Sequence, residues 1–295
     1  MVKDILWCLL LVFTILYLVY FAYDIYKHRH ELEKDTSFFK CSCFGFVCMF
    51  FDVLGIGAFA PHTTLYRTFK QVDDRIMPGT LNVGNAFPTV LQALIFLQII
   101  IVDPLTLLLM ITASVLGSII GAKVVSHWDK RKIQFSMGIA LFITAWFMFA
   151  SAMGWIEMQG DATMLRGSAL SIGVLVNFIL GALMTVGVGL YSPCMALVAI
   201  LGMSPTAAFP IMMGSCAFLM PSCGMTFIKE NAYNRKAALS STIFGSVGVL
   251  LAALFVKSLP LNVLRWGVVV VVLYTASTML YASLKNTSVV ACSKE

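Results

Sequence analysis

Charge is what this chain has least of. Only 12% of its 295 residues are Asp, Glu, Lys or Arg, about half the share of a soluble domain. No G-x-x-x-x-G-K-[ST] occurs, so the chain carries no P-loop for ATP. Its eight cysteines include no C-x-x-C pair. The nearest thing is Cys41-Ser42-Cys43, and a disulfide framework is not expected in a membrane-embedded chain of this size. Of four histidines, His28, His30 and His127 lie in loops far apart in sequence. No nucleophile–base pair emerges, which argues against an enzyme, and no cofactor motif is present. The basic residues form no stripe for nucleic acid.

What is abundant is apolar surface. Hydrophobic residues make up 60% of the chain, and the mean hydropathy is +0.91. Apolar stretches of bilayer length, ~20 residues, recur at roughly 5–22, 44–66, 78–101, 104–125, 133–154, 168–201, 207–228, 237–256 and 263–284. The expected fold class is an all-α polytopic membrane protein. The first stretch, Ile5 to Phe21, lacks an A-x-A-like exit and reads as a retained anchor helix.

Helix breakers interrupt two of these stretches at the same spacing. Gly55-Ile56-Gly57-Ala58-Phe59-Ala60-Pro61 and Gly187-Val188-Gly189-Leu190-Tyr191-Ser192-Pro193 both read G-x-G-x-x-x-P and lie 132 residues apart. Pro78 and Pro210 keep that frame. Broken backbone inside a membrane is tolerated only where it faces protein or a wet cavity. Breaks at matching places in two halves point to a transporter's binding site. The 168–201 stretch is too long for one span, so two short half-helices are expected to meet at its break, entering and leaving on one side. By symmetry 38–70 should do the same.

The loops indicate how the halves are oriented. Arg67, Lys70 and Arg75 follow the first break, whereas 198–209 carries no charge. The turn Gln98–Pro104 has no Lys or Arg, whereas 230–236 holds Arg235 and Lys236. Lys123, Lys130, Arg131 and Lys132 fill one loop, whereas 255–264 has only Lys257. Basic charge marks the cytoplasmic side, so three swaps predict halves that are upside down relative to each other. The expected organisation is an N-terminal anchor and cytoplasmic linker over 1–37, then a first repeat over 38–156. An external linker over 157–167, a second repeat over 168–285 and a cytoplasmic tail over 286–295 follow. Each repeat holds one re-entrant hairpin and three spans. The N-terminus is expected outside and the C-terminus in the cytoplasm, in the cytoplasmic (inner) membrane.

These motifs resemble the TauE/SafE family of sulfite-exporter-like permeases. The resemblance rests on Gly55-Ile56-Gly57…Pro61 with Pro78-Gly79-Thr80-Leu81-Asn82. It rests equally on Gly187-Val188-Gly189…Pro193 with Ala207-Ala208…Met213-Gly214-Ser215. Gly117-Ser118-Ile119-Ile120-Gly121-Ala122 before Lys130-Arg131-Lys132, and Leu259-Pro260 before Arg265, add to it. It spans about residues 44–284. Family members often carry a denser glycine cluster where this chain has Ala58-Phe59-Ala60. The resemblance implies transport of a small anion, often a sulfur oxyanion or organosulfonate, across the cytoplasmic membrane.

Unpaired N–H groups at helix N-termini form an anion site without a buried Arg or Lys. Pro61 and Pro193 suit the first turn of such half-helices, and Gly55, Gly57, Gly187 and Gly189 allow close approach. His62 and Cys194 occupy equivalent places, the first as a neutral donor and the second as a soft ligand. Thr63, Thr80, Asn82 and Asn85 in one half, and Ser192, Gly214, Ser215 and Cys216 in the other, complete the candidate set. Asp52 is the acidic residue inside an apolar segment, at a cost of ~3 kcal/mol on insertion scales, and is the candidate for a coupling proton. Asp103, before Pro104, reads as an N-cap. Two alternatives stand beside an anion permease. One is a Cys-dependent redox or sulfur-handling protein. The other is a soft-metal transporter for Cu(I), suggested by Met195, Met203, Met212, Met213, Met220 and Met225. The expected partners are a small anion, the lipid bilayer and a coupling proton, with homo-oligomers compatible.

Overall fold

A computed structural model describes residues 2–53, 57–96, 102–155, 161–187, 189–255 and 273–284. The described elements are helices, joined by one isolated bridge between Ala162 and Met203. In order they are α1 (Val2–Lys27), α2 (Phe38–Val53), α3 (Phe59–Thr68), α4 (Met77–Phe96), α5 (Pro104–Val125) and α6 (Lys130–Ala152). Then come α7 (Gly167–Met184), α8 (Tyr191–Ile200), α9 (Pro205–Lys229), α10 (Arg235–Phe255) and a last helix, α11, over 273–284. Five of these carry stretches long and apolar enough to cross a membrane: α1, α5, α7, α9 and α10. This is a multi-pass membrane protein. The 78–101 stretch forms α4, which buries Thr80, Asn82, Asn85, Thr89 and Gln92 and is the more polar for it.

Both G-x-G-x-x-x-P segments break their helices. Gly55 and Ile56 lie outside the described residues, as does Val188. Gly57 takes φ 86° and Gly187 φ 106°, a left-handed backbone that only glycine adopts without strain. The two short arms match residue for residue, since α3 and α8 begin and end 132 positions apart. Their hydrogen bonds match as well. His62 N–H bonds Ala58 O at 3.0 Å, and Cys194 N–H bonds Leu190 O at 3.0 Å. At the far ends, Gln71 N–H bonds Tyr66 O at 2.8 Å and Met203 N–H bonds Val198 O at 3.1 Å. Those are Schellman-type closures, with Lys70 (φ 52°) and Gly202 (φ 76°) in the left-handed position.

The arms are unequal, which corrects the expectation of two short half-helices. The long arms α2 and α7 have 16 and 18 residues, the short arms 10 each, or about 24–27 Å against about 15 Å. The apolar run before each G-x-G lets the first arm continue for 16 and 18 residues. Each hairpin is closed at its open end. Thr36 Oγ1 donates to Gln71 O (2.8 Å), and Ser37 N–H donates to Gln71 Oε1 (2.8 Å). In the second hairpin Ser204 N–H donates to Ala162 O (2.9 Å).

Helix directions follow from the contacts. Gly45 abuts Ser241, and Gly245 abuts Met49 and Pro88. So α2, α4 and α10 run one way. Gly181 abuts Ser114, Gly121 abuts Ala182 and Thr185, and Gly214 abuts Ile111. So α5, α7 and α9 run together. Asn82 on α4 meets Cys223 on α9 while Gly79 meets Phe227, which sets the two groups antiparallel. Small residues let the backbones approach: a Cβ on Gly117 would land on Phe178 O, on Gly181 on Ser114 O, and on Gly248 on Phe46 O.

The anchor helix α1 is packed into the bundle. Tyr17 OH donates to Val83 O at 2.7 Å, Phe13 stacks near Phe218, and Asp24 accepts from Arg235 Nε at 2.8 Å. The basic loops meet at one end. Lys130 bonds Asp73 (2.6 Å), Gln134 bonds Asp74 (2.7 Å), Arg67 bonds Thr278 (3.1 Å), and His127 lies 3.4 Å from Glu230. The opposite end joins Asp103 N–H to Thr163 O (3.0 Å) and Leu165 N–H to Thr106 Oγ1 (3.2 Å). Asp103 caps α5 as expected, accepting from Thr106 N–H at 3.0 Å.

Candidate functional site

Each short arm opens with a proline third from its start, Pro61 in α3 and Pro193 in α8. The first N–H groups of a helix have no intrahelical partner, and proline there removes one that would have none. Gly57, Pro61 and Gly189 are half-buried, while Pro193 and Gly187 are buried. Ser192 lies in the first turn of α8.

Asp52 sits beside the first break. Its Oδ1 accepts from Ala58 N–H at 2.6 Å, and its backbone carbonyl accepts from Gln92 Nε2 at 3.5 Å. The side chain is turned inward and buried, where an outward course toward water was the alternative. The Asp52 carboxyl therefore already takes up one of the N–H groups at the start of α3. Met184 occupies the equivalent place in the second half.

Polar groups gather around His62, which is fully buried. Asn85 Nδ2 lies 3.3 Å from His62 Nδ1, Ser241 Oγ donates to Asn85 Oδ1 at 2.7 Å, and the Tyr66 ring lies 4.3 Å from the imidazole. Among the described residues His62 Nε2 has no hydrogen-bond partner. Thr63 Oγ1 bonds back to Phe59 O (2.8 Å), and Thr64 bonds both Ala60 O and Thr275. Asn82 is spent within the protein: it donates to Pro78 O (2.9 Å) and accepts from Cys223 (3.3 Å). Thr80 lies at the loop end of α4, bonded to Ile76 O and to Asn234 N–H. It is not brought to the break.

In the second half Ser215 accepts from Asn177 Nδ2 at 3.2 Å, and Asn177 also bonds Met110 O at 2.7 Å. Asn177 Oδ1 is likewise buried with no hydrogen-bond partner among the described residues. Gly214 packs on Ile111. Cys216 is buried on α9, which packs along α4, α5 and α8. So α9 runs beside the short arm of the second hairpin. Asn177, Ser241 and Gln92 were not marked in the sequence. Asn177 and Gln92 are each a single polar residue in an apolar run, Ser241 is the middle of Ser240-Ser241-Thr242, and the role of each depends on contacts 38 to 156 positions away.

Residues 2–148 match the family described as sulfite exporter TauE/SafE. The chain belongs to the TauE/SafE family. The TauE/SafE match begins within α1 and ends within α6, so it covers α1 and the whole first hairpin. The resemblance read over 44–284 is thus matched in its first half. No curated protein and no solved structure matches the chain.

The loop end of this TauE/SafE protein holds a charged cavity of about 520 Å³. Its walls include Glu33, Arg67, Lys70, Asp73, Asp74 and Lys130. Partial burial works to raise the Asp73 carboxyl. Hydrogen bonds from Lys130 and the Arg75 N–H, with the charges of both, outweigh it and hold Asp73 below the usual carboxylate range. Among the described residues no cluster of three or more His, Cys, Asp or Glu is close enough to hold a metal ion.

Proposed function

We propose that this protein is a secondary transporter that carries a small anion, a sulfur oxyanion or organosulfonate, across the cytoplasmic membrane by alternating access. The observation that carries the reading is the duplicated break: two short arms of identical span, each opening on proline after a left-handed glycine, inside a TauE/SafE chain. Helix starts inside a membrane supply N–H groups and partial positive charge to an anion. The anion binds against Gly57, Pro61 and His62 on one side and Gly187, Gly189, Ser192, Pro193 and Cys194 on the other. Cys216 and Ser215 on α9 complete the proposed set.

The two halves form an inverted repeat, 38–156 against 168–285, with 1–37 before it and a cytoplasmic tail after it. The opposed directions of α2 and α7, α4 and α9, and α5 and α10 support this. The end that gathers Arg67, Lys70, Lys130, Arg235 and Lys236 faces the cytoplasm, by the positive-inside rule. The N-terminus of α1 is then outside.

Asp52 couples transport to a proton. While ionised it holds Ala58 N–H; once protonated it leaves that donor to the incoming anion, so proton and anion travel together. Flux in proteoliposomes across sulfite, thiosulfate, sulfonates, chloride and Cu(I), with and without a pH gradient, tests the whole reading. Flux of a sulfur oxyanion that responds to the gradient is expected. Carriage of Cu(I) alone would replace it with the soft-metal alternative.

A further inference from the structure

His62, Asn85 and Ser241 lie on three helices, α3, α4 and α10, and form one chain of contacts. The 2.7 Å separation between Ser241 Oγ and Asn85 Oδ1 is that of an O–H···O bond. It turns the amide oxygen toward Ser241 and the amide nitrogen toward His62. An amide nitrogen only donates, so His62 Nδ1 accepts. A neutral imidazole has one N–H, which must then be on Nε2. That atom is buried with no hydrogen-bond partner among the described residues. An unmet buried donor costs roughly 1–3 kcal/mol, and here it lies one residue past the proline of the first break. The second half lacks the chain altogether: Cys194, Ala217 and Leu109 stand at the equivalent positions.

We infer that His62 Nε2–H is a side-chain donor to the transported oxyanion, and that Asn85 and Ser241 are positioning residues that fix this tautomer. The inference rests on the anion reading above and sharpens it. A neutral N–H favours ligands with accepting oxygens, such as sulfite, and offers nothing to a cation. Asn85 then acts through His62 and need not touch the anion.

The test uses the full chain with 15N-labelled histidine, and sulfite as the probe. The His62 signals are assigned by their loss in His62→Gln. The wild type should show a protonated Nε2 and a bare Nδ1, and the Nε2 signal should move on adding sulfite. His62→Ala should cut sulfite flux about 10- to 100-fold, the worth of one hydrogen bond to a charged group. His62→Gln, which keeps a neutral donor, should recover most of it. Asn85→Asp should pull the proton to Nδ1 and lower flux as His62→Ala does. Ser241→Ala, a milder change, should give a mixture of tautomers and intermediate flux. A proton on Nδ1 in the wild type overturns the inference, and so does an Nε2 signal unmoved by sulfite in protein that transports it. Wild-type protein that carries no oxyanion, yet keeps Nε2 protonated, would sink the transport reading instead.

Discussion

At the first break position 52 is a carboxylate and position 62 an imidazole; 132 residues later the same places hold Met184 and Cys194. The backbone repeats down to its capping hydrogen bonds, while the chemistry does not. The first hairpin carries Asp52, His62, Thr63 and Thr64, and its neighbours supply Asn85, Gln92 and Ser241. At the equivalents of those last three stand Ala217, Gly224 and Leu109. The second half keeps a different polar pair, Asn177 with Ser215, where the first has Gly45 and Val83. A duplicated scaffold thus holds two unlike surfaces. Both breaks carry a left-handed glycine and a first-turn proline, but the Asp52 carboxyl and the His62 imidazole stand at one of them alone.

The largest expected effect tests what the halves share. Gly181→Ala and Gly248→Ala each drive a Cβ into a backbone carbonyl of the partner helix. Each should cost about 3 kcal/mol, read as a lower thermal midpoint in detergent. Loss in one variant alone would show that the two interfaces are not equivalent. The next effect tests what they do not share. His62→Ala should lower flux far more than Cys194→Ala, for which a change under about threefold, below 1 kcal/mol, is expected. Equal losses would mean the two arms contribute alike.

Asp52→Asn should leave flux flat across pH where wild-type flux changes, since the amide can neither gain nor lose the coupling proton. Unchanged pH dependence would remove Asp52 from the coupling role. The smallest effect belongs to the loop end. Lys130→Ala removes the partner that holds Asp73 down. A depressed carboxylate stabilises the fold above its unfolded pKa, and that gain disappears as pH falls through the folded value. The pair is about half exposed, so the loss should be at most about 1 kcal/mol at neutral pH. It should vanish in acid, as read by thermal midpoints at both pH values.

How much of this could be read from the chain depends on whether the signal was local. G-x-G-x-x-x-P is local, because a left-handed glycine and a first-turn proline act on their own backbone. The breaks, the short arms and the Asp103 cap were therefore legible. Loop charge is a local signal too, because it depends only on which side of the lipid a loop occupies. Thr80 was misplaced because a helix starting at Met77 leaves it within one turn of the loop. The long arms α2 and α7 were underestimated because apolar helix has no stop signal before the glycines. Asn177 is an isolated polar residue and Ser241 one of three in a row, Ser240-Ser241-Thr242, until folding sets them against Ser215 and Asn85. Nothing within a few residues of either one announces that pairing.

Opposed orientation of the halves is the central claim, and the ends of the short arms test it most directly. Thr68 and Ile200 close α3 and α8, are equivalent in the repeat, and are both exposed. Single cysteines at the two positions, in a background with accessible thiols removed, are labelled with an impermeant maleimide from each side of sealed vesicles. Labelling of Thr68→Cys only from the cytoplasmic face and Ile200→Cys only from the external face is the predicted result. Labelling of both from the same face would contradict the account.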